Sequence, residues 1–127
     1  MTRLGAALPP GALYFAACFA AGVVMGPVRV LVLEPAIGMA AAVAIEAPII
    51  LAVAALSARA VLRRWPAVSP LAVGAVGLAL LLAAEAALAA ALDRPSPFDP
   101  PRRLAEWIGL ALKLAFALTP ALLARRA

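Results

Sequence analysis

The chain has 127 residues, of which 67% are hydrophobic and only 13% charged. So few ionised side chains would not keep a compact domain of this size apart in water, which leaves lipid as the solvent. With no histidine and one cysteine there is no basis for a structural zinc site, a histidine-held haem, a Ser-His-Asp triad or an intrachain disulfide, so no metal, no cofactor and no enzymatic activity are expected. The net charge of +5 comes from arginines at the ends of apolar runs rather than on a polar face with interleaved aromatics, which argues against nucleic acid as a partner.

A hydrocarbon core of roughly 30 Å needs about 20 helical residues at about 1.5 Å each. Four runs reach that length, and the expected fold class is all-α: a single integral membrane domain, residues 1–127, built as a bundle of four transmembrane helices. The first run spans residues 10–33, from Pro10 to Leu33, opened by Pro9 and Pro10, which suit a helix start because the missing N–H would be unpaired there anyway. Phe15-Ala16-Ala17-Cys18 loosely resembles a lipoprotein cleavage site, but the prolines before it and the apolar residues after it favour a retained span with Cys18 as a small buried hydrophobe.

The second run spans 36–58, from Ala36 to Ala58, and ends at Arg59, Arg63 and Arg64, with Trp65 beside them as an interfacial anchor. The third spans 70–92, from Pro70 to Leu92, and stops at a stretch holding Pro95, Pro97, Pro100 and Pro101, where no helix continues. The fourth spans 104–123, from Leu104 to Leu123, with Trp107 near its start and Arg125 and Arg126 at its close. Short connections favour antiparallel neighbours.

Orientation follows from the basic residues, because cytoplasmic flanks carry their excess. Both termini and the loop between the second and third spans share one side, which holds Arg3, Arg59, Arg63, Arg64, Arg125 and Arg126 and no acid. The other side balances Arg29, Arg94, Arg102 and Arg103 against Glu34, Asp93, Asp99 and Glu106. The expected location is therefore a bacterial inner (plasma) membrane, multi-pass, with both termini cytoplasmic.

Three ionisable groups remain inside the runs: Glu46, Glu85 and Lys113. They fall at roughly 15, 11 and 14 Å below the same interface, so three helices place opposite charges at nearly one level. An ionisable group at that depth normally faces protein, a partner charge or water. One reading is a clasp in which Lys113 pairs with one carboxylate and the other is protonated. The other is a site where a carboxylate exchanges a proton or binds a cation.

A second cluster, Arg29 and Glu34, lies at the outer end of the first span. Pro27 should kink that span, and Pro48 should do the same to the second beside Glu46. Such breaks help make ion sites in transporters and are simple bends in many bundles. Gly22 and Gly26 form a Gly-x-x-x-Gly pair suited to close helix approach.

The run Gly26-Pro27-Val28-Arg29-Val30-Leu31, followed by Glu34-Pro35-Ala36-Ile37-Gly38 and Glu46-Ala47-Pro48-Ile49-Ile50-Leu51, resembles a family of small bacterial four-span membrane proteins of unassigned function. The resemblance covers about the first half of the chain and implies architecture, not chemistry. Small multidrug exporters carry a key glutamate in the first span, and here no acid precedes Glu34. The Gly-rich motif of small fluoride channels is not visible either.

The expected function is that of an accessory or structural subunit working as a homo-oligomer or within a larger membrane complex, with the lipid bilayer as its first partner. The alternative is a small proton- or cation-coupled transporter or channel using Glu46.

Overall fold

The structure, a computed structural model, describes residues 3–93 and 101–126. Helix α1 (Arg3–Val28) passes into a π-helical turn (Arg29–Leu33) and then the short α2 (Glu34–Ile37), together one long first span. Helix α3 (Met39–Arg64) is the second span, α4 (Pro70–Ala91) the third and α5 (Leu104–Arg126) the fourth. The described residues contain no strand, and four helices are long and apolar enough to cross a membrane. The all-α four-helix architecture is thus the one expected from the apolar runs.

Several boundaries differ from expectation. The first helix begins at Arg3, so Pro9 and Pro10 stand inside it instead of opening it. Ala7 and Pro10 are buried in the bundle, and this packing holds the helix despite two missing backbone donors. The same span does not stop at Leu33 but continues to Ile37, and the whole connection to α3 is Gly38, with φ +88°. Residues with a side chain rarely adopt that backbone conformation, whereas glycine reverses the chain there at little cost.

Helix α3 likewise runs past Ala58 to Arg64. Ala58 and Val61 are buried on its inner side while Arg59, Arg63 and Arg64 point outward, so the inner face continues to pack through the basic stretch. The third span matches its expected range to one residue, and Ser69 caps it by accepting from the Ala72 N–H, with Pro70 in the first turn. Helix α5 extends to Arg126, and Glu106 in its first turn accepts from the Arg102 N–H. Of the proline-rich stretch after the third span, residues 94–100 lie outside the described residues.

Packing runs around a ring: α1 against α3 and α4, and α5 against α3 and α4. The second and third spans, consecutive in sequence, therefore lie across the bundle from each other instead of side by side. Five residues, 65–69, join them, a reach of about 16 Å at roughly 3.3 Å per residue. With neighbouring axes about 8–10 Å apart the diagonal is about 11–14 Å, so the connection is long enough to cross. Trp65 and Val68 from this crossing pack against the core.

The centre is occupied by Tyr14 and Phe116, whose rings stack at 4.5 Å with a 6° interplanar angle. Cys18 is buried in the same cluster, as a small hydrophobe would be. Close approach around the rings depends on glycines. A Cβ at Gly74 would fall on the Ala117 carbonyl, one at Gly77 would sit 3.0 Å from the Tyr14 ring, and one at Gly11 would sit 2.5 Å from Val76. At Gly22 and Gly26, by contrast, a Cβ would meet nothing within 4 Å among the described residues.

Candidate functional site

Two ion-pair clusters stand in the half of the bundle distal to the Arg59 to Arg64 end. In the first, Arg29 meets two carboxylates: Nη1 donates to Glu34 Oε2 at 3.1 Å, and Nε lies 2.7 Å from Glu46 Oε2. The latter approach is off the N–H direction and makes no hydrogen bond, so it is a coulombic contact. In the second, Lys113 Nζ lies 2.7 Å from Glu85 Oε2.

The π-turn builds the first cluster. At 3.6 residues per turn, residues five apart point about 140° away from each other, and Arg29 would turn away from Glu34. The wider turn, closed by the Glu34 N–H donating to the Arg29 carbonyl, brings the two onto one side. Its cause lies in the prolines at its borders. Pro27 and Pro35 lack the N–H that an α-helix needs, and Pro35 would also press its ring on the carbonyl of Leu31. The kink expected at Pro27 is thus expressed as a widened turn two residues further on, the type of irregularity often found at functional positions. Pro48 is carried within α3 without a break in the helix.

Counted from the ends of the helices, Arg29 lies eight residues before Ile37, Glu46 seven after Met39, Glu85 six before Ala91 and Lys113 nine after Leu104. All four fall between about 9 and 14 Å from that end of the bundle. The structure therefore pairs Lys113 with Glu85 and Glu46 with Arg29, which also holds Glu34, across the first and second spans. The cluster expected at the outer end of the first span occupies the π-turn and the start of α2, with the helix continuing to Ile37. With Glu34 nearer that end of the bundle, the two clusters set two cations against three carboxylates.

Each pair ties one helical hairpin: Arg29–Glu46 joins the first span to the second, and Glu85–Lys113 the third to the fourth. The side chains remain partly accessible, 26% for Arg29, 13% for Glu46, 32% for Glu85 and 23% for Lys113. Among the described residues no group of three or more acidic or cysteine side chains is arranged to hold a metal ion.

A polar feature that sequence reasoning missed lies in the core. The Tyr14 hydroxyl donates to the Phe116 carbonyl at 2.5 Å. In an α-helix that carbonyl would accept from residue 120, which is a proline and has no N–H to give. A tyrosine within one apolar span and a proline late in another were the available signals, but their pairing depends on the ring of four helices that sets α1 and α5 diagonally across one centre.

Fold and charge placement define a class: the chain is a multi-pass, four-helix membrane protein with two ion-pair clusters within its long apolar helices. No protein family, curated protein or solved structure matches it.

Proposed function

We propose that this chain is a non-enzymatic accessory subunit of the bacterial inner membrane, oriented with both termini in the cytoplasm and working as a homo-oligomer or within a larger complex. The observation that carries this reading is the engagement of both intramembrane glutamates by fixed cations on the adjacent helix, at 2.7 Å each. Carboxylates so engaged act first as ties between helices, which is the usual use of polar contacts in a bundle that lacks a hydrophobic driving force. The partial exposure of the same side chains at membrane depth favours a neighbour that covers them. The orientation rests on the basic side of the bundle, where Arg59, Arg63 and Arg64 stand without an acid.

The surplus negative charge beside Arg29 favours a second reading, in which Glu46 takes up a proton or cation and the chain is a small transporter or channel. Reconstitution of the purified protein in liposomes with an entrapped pH dye separates the two. The subunit reading expects no flux above that of empty vesicles under imposed proton or cation gradients. A wild-type flux that disappears in Glu46→Gln, with helical content unchanged, overturns it in favour of transport.

A further inference from the structure

At the basic end of the bundle, far from the ion pairs, α1 and α3 together line an open groove. Its floor and walls are Leu13 and Ala17 of α1 and Ser57, Ala60 and Val61 of α3, and its mouth, at the basic end, is formed by Arg64 and Trp65. Ala17, Ser57 and Ala60 give this groove a small-residue floor, flanked by the apolar Leu13 and Val61. The Ser57 hydroxyl is turned back onto the Val53 carbonyl at 2.6 Å, which removes its polarity from the groove. From Trp65 to Ser57 the groove descends eight residues, about 12 Å toward the membrane interior.

The mouth has the opposite character. Arg64 is exposed, and its guanidinium carbon lies 5.1 Å from the centre of the Trp65 ring, which fixes it as a cation over an aromatic face. Arg59 and Arg63 add to the positive field, and residues 59–69 contain no acid. A guanidinium matches a phosphate bidentately, and an indole belongs at headgroup depth. An apolar channel entering the bilayer below a phosphate-binding group is complementary to one kind of molecule.

We propose that this groove is a binding site for an anionic phospholipid of the bilayer, with the phosphate on Arg64 and one acyl chain laid between α1 and α3 along Ala17, Ser57 and Ala60. Trp65, at the mouth, is in position to report on the chain of a bound lipid. The site is independent of whether the ion pairs serve assembly or transport.

The test uses the full chain carrying Trp107→Phe, which leaves Trp65 as the single indole, reconstituted in phosphatidylcholine vesicles. Quenching of its fluorescence is measured with phosphatidylglycerol brominated on the acyl chain and, separately, with brominated phosphatidylcholine at equal mole fraction. The expected result is a preference for the anionic lipid of about fivefold, the size of effect one arginine near the surface supports. Arg64→Gln should abolish this preference while Arg63→Gln, outside the groove lining, keeps most of it. Ala60→Leu, which fills the groove without changing charge, should weaken quenching by both lipids. Equal quenching by the two lipids overturns the proposal, as does a preference that survives Arg64→Gln. A Trp65 that neither lipid quenches, in a chain that crosslinks to a second copy through Ala60→Cys, overturns it by showing the groove covered by protein.

Discussion

The Tyr14 hydroxyl occupies the place of the backbone donor that Pro120 lacks. The proline removes the N–H that would satisfy the Phe116 carbonyl, and the tyrosine reaches across the bundle to donate at 2.5 Å. With the ring of Tyr14 stacked on that of Phe116, one side chain supplies both the polar and the apolar contact at the centre. An unpaired carbonyl in this environment has no water to turn to, so α1 is tied to α5 by a defect in α5.

Tyr14→Phe is therefore expected to destabilise the bundle by about 1–3 kcal/mol, the cost of a stranded buried acceptor. Pro120→Ala restores an N–H at the normal helical position, and in that background Tyr14→Phe should cost clearly less. Thermal unfolding in detergent of the two single variants and the double variant measures the coupling. Strict additivity would mean that the Phe116 carbonyl is not the shared partner.

The ion pairs make a selective prediction. Lys113→Met leaves Glu85 without its cation, at an expected cost of about 2 kcal/mol, below that of breaking a fully buried pair because both side chains are partly accessible. Adding Glu85→Gln should recover part of the loss, whereas adding Glu46→Gln should not. Recovery by Glu46→Gln instead would contradict the pairing described for the two hairpins.

Glycine positions are expected to divide sharply. Gly74→Ala places a methyl on the Ala117 carbonyl and should cost about 1–3 kcal/mol or prevent folding, because backbone on both sides leaves little room to relax. Gly22→Ala meets no atom within 4 Å and should change monomer stability by less than about 0.5 kcal/mol. If Gly22→Ala nonetheless shifts the size of the detergent-solubilised protein, that face is used between chains.

Topology is open to direct labelling in a Cys18→Ala background. Asp93→Cys is expected to react with an impermeant thiol reagent added outside intact cells, and Ala67→Cys only after the membrane is opened. The reverse pattern would invert the orientation drawn from the arginines.

The number of spans and the end at which the arginines gather were legible in the sequence because both are one-dimensional properties. A run of apolar residues long enough to cross about 30 Å announces itself without reference to any neighbour, and Pro70 marked the start of the third span because a proline suits the first turn of a helix. Helix ends were less legible. Pro9 and Pro10 read as a start, yet burial of Ala7 and Pro10 carries the helix back to Arg3.

The pairing of charges depended on the tertiary structure alone. Counting residues put Glu46, Glu85 and Lys113 at one depth, but depth does not say which helices are adjacent. The crossing at 65–69 sets the second span diagonal to the third, which separates Glu46 from Glu85. A π-turn, invisible to a period of 3.6, rotates Arg29 toward Glu34 and Glu46. The Gly-x-x-x-Gly pair at Gly22 and Gly26 promised a close helix contact, yet among the described residues nothing lies within 4 Å of a Cβ at either, while Gly74 and Gly11, with no such signature, carry the closest approach. Apolar length is written along the chain and is read by the bilayer residue by residue. Which faces meet is decided only when four helices settle against one another, because every face of so alanine-rich a helix is equally fit to be buried.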